Sequence, residues 1–201
     1  MNDHVVNVCK SAHQQIRKIA SIRKFLTKEA CIYLVHAFIT SRLDYGNSLF
    51  YGINKFQLER LQKIQNMAAR IVMRSSKFDS TTSIRKELHW LPIEQRINFK
   101  VLVLAYRSVH KLAPVYLQEI VSFYKPNRSL RSQNSLDLTV NNYNLETCGR
   151  RAFSVCAPSL WNSLPKNIKA CQSENVFKKY LKTHLFKKAY EWLFIVYPAF
   201  K

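Results

Sequence analysis

The chain has 201 residues, 47% of them apolar, enough for one large domain or two small ones around a real core, and it is no disordered tail. Lys and Arg number 32 against 12 acids, a formal net charge of +20, so anionic partners are required and nucleic acid stands first among them. Only three glycines are present, Gly46, Gly52 and Gly149, which excludes a dinucleotide fingerprint and a Walker loop.

In chain order, residues 3–26 read as a first helix. Val5, Val8, Ala12, Ile16, Ile19 and Phe25 lie on one side, with Lys10, Arg17, Lys18, Arg23 and Lys24 on the other. Thr27 is suited to cap a second helix, 28–45, with Glu29 in its first turn. That helix is apolar on most sides (Ala30, Ile32, Leu34, Val35, Ala37, Phe38, Ile39), which predicts the buried centre of a bundle. Gly46 and Gly52 bracket its end.

Asn54 with Gln57 three residues later predicts a capping box for a third helix. Its apolar stripe is Leu58, Leu61, Ile64, Ala68, Ile71 and Val72, and Arg60, Lys63, Arg70 and Arg74 line its polar side. A short helix around 82–88 stops before Trp90-Leu91-Pro92. A fifth runs from about 93 to 112, and Pro114 opens a sixth through Phe123.

Composition shifts at Tyr124. Residues 125–150 are rich in Asn, Ser, Arg and Lys, with one alternating stretch, Ser135–Val140, that reads as a lone strand or extended arm. Apolar residues return through Phe153, Val155, Leu160, Trp161 and Leu164, and a last helix begins at Ser173. It sets Val176, Phe177, Leu181, Leu185 and Ala189 against Lys178, Lys179, Lys182, Lys187 and Lys188. The expected fold is mainly α, a thumb-like helical bundle followed by a smaller mixed C-terminal region, with the bundle over 1–124, a polar linker or extended arm over 125–150, and a C-terminal helical region over 151–201.

Four Asp and eight Glu, with no two acids adjacent, leave two-metal phosphoryl chemistry without its clustered carboxylates. The expectation is a chain that holds nucleic acid rather than cutting or copying it, without a cofactor. Cys9, Cys31, Cys148, Cys156 and Cys171 are odd in number, widely spaced and without a C-x-x-C, the pattern of reduced intracellular thiols. The spacing of Cys148, Cys156, Cys171 and His184 fits no compact zinc knuckle, so buried thiols are the preferred reading and no metal site is expected. His36, His89 and His110 sit among apolar helix residues, as core or boundary groups do. The first four residues lack a signal-peptide layout, and no apolar run reaches the ~18–20 residues of a membrane span, so an intracellular location, cytoplasmic or nuclear, without a membrane partner, is expected.

The basic helix faces are the binding candidates. From 101 to 201 there are 15 Lys or Arg against 5 acids, an imbalance that a merely solvated face does not need. Tyr124, Tyr143, Phe153, Tyr180 and Trp192 lie close to these charges, and rings beside phosphate-tracking cations are the usual single-strand design. Lys63, Arg70 and Arg74 on the third helix and Lys178, Lys179 and Lys182 on the last are the candidate nucleic-acid contacts. Phe153 and Trp161 are expected in the core.

Several strings resemble a known family. His36–Gly52 (His-Ala-Phe-Ile-Thr-Ser-Arg-Leu-Asp-Tyr-Gly-Asn-Ser-Leu-Phe-Tyr-Gly), Leu58–Arg70, Glu87–Pro92, Arg96–Lys100, Ser129–Ser132 and Arg151–Pro165 are similar to the region after the polymerase palm in non-LTR (LINE, jockey-like) retrotransposon reverse transcriptases. The resemblance covers residues 3–188. It implies that residues 1–75 form a thumb, a helical element gripping the template–primer duplex, and that the remainder is the family's C-terminal extension. It implies as partners an RNA or RNA–DNA duplex and the palm on which the thumb packs. The family's palm motif, Tyr/Phe-Ala-Asp-Asp, occurs nowhere in these residues, so no catalytic residue carries over and no enzyme activity is expected. The chain then resembles a truncated copy. A standalone basic module binding nucleic acid or a protein, and a remnant without function, are the alternatives left open by the residues.

Overall fold

The computed structural model describes residues 2–125 and 136–190. The described chain is mainly α-helical. Among the described residues there is no strand, only an isolated antiparallel bridge between Phe123 and Leu138. The helices are α1 (Asn2–Ile22), α2 (Lys28–Val35), α3 (Ser41–Asp44), α4 (Lys55–Met73), α5 (Thr81–Glu87), α6 (Ile93–Val109), α7 (Val115–Ile120), α8 (Phe153–Asn162), α9 (Lys166–Lys169) and α10 (Glu174–Tyr190). They fall into two compact units, one of residues 1–96 with 186–201, the other of residues 97–185. The composition shift at Tyr124 lies inside the second unit.

In the first unit, α1 buries Val5, Cys9, Ala12, Ile16 and Ile19, a four-three-four-three stripe that stays on one face of a regular helix. It packs along α4. The His4 ring meets Phe50 at 5.6 Å, and Arg23 reaches the carbonyls of Ile71 and Val72, so α1 and α4 run in parallel. The intervening helix runs antiparallel to α1, since the Arg42 guanidinium donates to Ser11 Oγ at 2.6 Å.

That intervening helix departs from expectation. It does not lie buried at the centre of the bundle: only Cys31, Val35, Ile39 and Leu43 are buried, while Tyr33 and Tyr45 are 75% and 79% exposed and Phe38 is also exposed. The buried positions recur every four residues, and each such step over-rotates a regular helix by about 40°. A π-turn over His36–Thr40, in which the Ser41 N–H donates to the His36 carbonyl, unwinds the helix and returns Ile39 and Leu43 to the inner face. One face is therefore enough, and the remaining apolar side chains stay outside.

Asn54 Oδ1 accepts from the Gln57 N–H at 2.9 Å, but Gln57 Oε1 has no partner among the described residues, so half of the capping box is made. Thr27 Oγ1 accepts from the Ala30 N–H at 3.1 Å as its position requires. On α4 the buried set includes Gln65, whose amide donates to the Leu91 carbonyl at 2.9 Å, while Gln62 Oε1 accepts from the Ile93 N–H at 3.0 Å. These two amides fix the segment that buries Trp90 and Leu91. The Tyr190 hydroxyl donates to the Trp90 carbonyl at 2.5 Å, bringing the end of α10 into the same unit.

Three helices end without glycine. Arg74 after α4, His89 after α5 and Lys111 after α6 take left-handed φ values of 53°, 53° and 58°. In each case the following N–H reaches back five residues: Ser75 to Arg70, Trp90 to Arg85, Leu112 to Arg107. This is the Schellman ending, in which glycine is the usual left-handed residue.

The second unit is organised by stacked rings. Tyr106 stacks on Phe177 at 4.4 Å, and Trp161 on Phe177 at 5.8 Å, all fully buried. Trp161 is core as expected. Phe153 is only half-buried. Ser135–Val140 does not form a strand where it is described. Asn162 instead offers its side-chain amide as a ladder partner, accepting from the Leu138 N–H at 2.8 Å and donating to its carbonyl at 2.9 Å, and the Trp161 indole donates to the Leu136 carbonyl. Lys169, buried, donates to Asp137 at 2.7 Å and to the Asn162 carbonyl at 3.0 Å. The helix over 153–162, with Pro158 inside it, had no periodic signature to announce it. On α10, Phe177, Leu181 and Leu185 are buried, but Val176 is exposed.

Candidate nucleic-acid interface

Lys63, Arg70 and Arg74 follow one another at seven and four residues, which sets them on one face of α4. Lys63 is exposed and makes no hydrogen bond or ion pair among the described residues. The two arginines are engaged with backbone. Arg70 Nη2 donates to the carbonyls of Lys77, at 3.1 Å, and Asp79, at 3.4 Å, and its Nε is buried without a partner among the described residues. Arg74 Nη2 lies 3.2 Å from the Arg23 carbonyl and 3.5 Å from those of Lys24 and Leu26.

Arg23 answers in the opposite direction. Its Nε and Nη2 donate to the last carbonyls of α4, Ile71 at 2.8 Å and Val72 at 2.7 Å, where a cation also suits the helix dipole. Arg23, Arg70 and Arg74 thus knot two turns onto the end of α4. Periodicity marked Arg70 and Arg74 as free cations because it sees the face and not the carbonyls opposite.

In the second unit, Lys178, Lys179 and Lys182 share one side of α10. Lys178 Nζ lies 2.5 Å from Glu174 Oε1, and Arg107 reaches the same oxygen at 2.8 Å. These two donors hold the Glu174 carboxyl below the usual carboxylate range. Lys179 and Lys182 are exposed. Tyr124 and Tyr180 are about half exposed, Tyr143 less so, and Trp192 lies outside the described residues.

The aromatic residues best placed beside cations are others. Lys24 Nζ stands 4.8 Å from the Phe25 ring centre, Lys77 Nζ 4.9 Å from Phe78, and the Arg60 guanidinium 5.7 Å from Phe56. All three rings are exposed. The signal was in the sequence as Lys24-Phe25, Lys77-Phe78 and the i, i+4 pair Phe56 and Arg60.

The remaining chemistry is sparse. A groove of about 410 Å³ in the first unit is lined by His4, Asn7, Val8, Ser11, Ser41, Arg42 and Tyr45, without a carboxylate. Cys9, Cys31, Cys156 and Cys171 are buried, and burial pushes the Cys156 thiol up to about 11, so these are inert packing groups. Among the described residues no group of three or more His, Cys, Asp or Glu side chains is placed to hold a metal ion, and no helix is long and apolar enough to cross a membrane.

Comparison with known proteins gives no family model, curated protein or solved structure that matches this chain.

Proposed function

We propose that the chain binds nucleic acid as a non-catalytic, thumb-like part of a non-LTR retrotransposon reverse transcriptase. The observation that carries the binding is the cation excess. Asp44, Glu87, Asp137, Glu146 and Glu174 are already held in ion pairs, and 32 Lys and Arg face only 12 acids, so at least twenty cations have no acid of their own. Such a surface lowers its energy by exchanging counterions for phosphates. The assignment to the reverse transcriptase family rests on the strings quoted above, and the parallel α1 and α4 with the antiparallel helix between them suit a duplex-gripping thumb. The exposed rings of Tyr33, Phe38 and Tyr45 support packing of that helix on a further body, which the resemblance identifies with the palm.

The test is fluorescence anisotropy of labelled RNA and RNA–DNA duplex across a salt series. Affinity should fall with a slope of about 0.7–0.9 per phosphate neutralised. Replacing Lys178, Lys179 and Lys182 by Gln should flatten that slope by about two to three without changing sequence preference. The Lys63→Gln substitution removes one contact, whereas replacing Arg70 or Arg74 also releases a turn. Binding that ignores salt, or no binding, overturns this reading. Magnesium-dependent nucleotide incorporation by the purified chain would overturn its non-catalytic part.

A further inference from the structure

Two strongly exposed rings stand at one end of the first bundle. Phe25, in the turn after α1, is 78% exposed, and Phe78, in the turn between α4 and α5, is 85% exposed. A ring left in water in this way contributes almost nothing to folding. Yet the backbone that presents each one is held tightly. The Arg74 guanidinium spans the carbonyls of Arg23, Lys24 and Leu26, on both sides of Phe25. The Arg70 guanidinium spans those of Lys77 and Asp79, on both sides of Phe78. Asp79 in turn accepts from the Ser76 N–H at 2.7 Å, closing the second turn.

Arg70, in the last turn of α4, and Arg74, just past its end, are four residues apart, so the two turns they hold are presented from the same end of that helix. Each ring carries its neighbouring lysine over one face and is otherwise mostly in solvent. The only carboxylate in these two turns, Asp79, is engaged with backbone.

We propose that the Phe25 and Phe78 turns form a stacking platform for single-stranded nucleic acid, with bases on the exposed rings and Lys24 and Lys77 on the flanking phosphates. The proposal rests on the nucleic-acid reading above and adds to it the strand state and the contacting rings. Paired bases present only their edges, so two exposed rings on rigid turns gain their stacking energy from an unpaired strand. Insertion into a bilayer is disfavoured by the same geometry, because the ammonium over each ring would have to leave water with it.

The experiment uses the full chain and three probes: a labelled oligouridine 12-mer, an RNA–DNA duplex of the same length, and vesicles containing phosphatidylserine. The variants are F25A, F78A, the double alanine variant and the double tyrosine variant F25Y/F78Y, with thermal unfolding as the folding control. Each alanine substitution should weaken oligouridine binding about tenfold, with the duplex unaffected and F25Y/F78Y close to the parent. Parent binding that is unchanged in the double alanine variant overturns the platform and leaves the general reading standing. Equal losses on strand and duplex also overturn it. A parent chain that binds neither nucleic acid overturns both. Vesicle binding that is stronger than oligouridine binding and lost in F25A/F78A overturns the platform in favour of a membrane surface.

Discussion

Lys111 and Arg74 occupy the same backbone conformation, yet glycine substitutions there should have different consequences. A non-glycine residue in the left-handed region costs about 1–2 kcal/mol, and glycine relieves it while giving back about 0.4–1 kcal/mol of unfolded-state entropy. Gly should therefore exceed Ala at both positions by about 0.5–1 kcal/mol. At Lys111, exposed at the end of α6, the wild-type side chain adds only a few tenths through the helix dipole, so Lys111→Gly should be more stable than the parent. At Arg74 the guanidinium also holds three carbonyls of the 23–26 turn, worth about 1 kcal/mol in total at an exposed site, so Arg74→Gly should show no gain or a loss. Urea unfolding followed by circular dichroism reads this as a midpoint difference of about 0.3–0.5 M between Lys111→Gly and Lys111→Ala, for a slope near 2 kcal/mol per molar. Equal midpoints for those two variants would refute the claim that the turn stores strain.

Trp161→Ala should destabilise the second unit by about 3–5 kcal/mol, because it removes a fully buried ring from the Phe177 stack and orphans the Leu136 carbonyl, and calorimetry of the chain checks this. Glu174 titrates lower when folded than unfolded, owing to Arg107 and Lys178, so its stabilisation is present above the unfolded value and is lost as pH falls through the folded one. The Glu174→Gln variant should accordingly lose stability near neutral pH and show a shallower acid limb in an unfolding series from pH 7 to pH 2. Tyr33 and Tyr45 leave an apolar face uncovered, so the chain should self-associate at micromolar concentration in sedimentation, and Tyr33→Glu with Tyr45→Glu should return it toward monomer.

The helices were largely legible because their buried stripes are periodic: Val5 to Ile19 on α1 and Leu61 to Val72 on α4 follow from spacing alone. Caps with a side-chain acceptor, Thr27 and Asn54, were legible for the same local reason. C-terminal ends were harder, since Arg74, His89 and Lys111 stand where glycine normally marks the stop. Burial of Gln65 depends on the Leu91 carbonyl, and the extended residues at Leu138 depend on Asn162, contacts between distant segments that no window of sequence contains. The basic faces were visible as charge. Which cations are spent on carbonyls was not, because periodicity carries no information on what stands opposite a helix face.

The π-turn at His36–Thr40 also bears on how the length of this helix can vary. With one residue removed there, the buried positions would fall at steps of four, three and four, the rhythm that α1 keeps from Val5 through Ile16. The widened turn therefore accommodates a one-residue insertion without rotating Ile39 and Leu43 out of the core. A relative lacking the exposed Ala37 would keep the same inner face on an unbroken α-helix, and an alignment of such chains should open its gap within this turn rather than in the loop that follows Asp44.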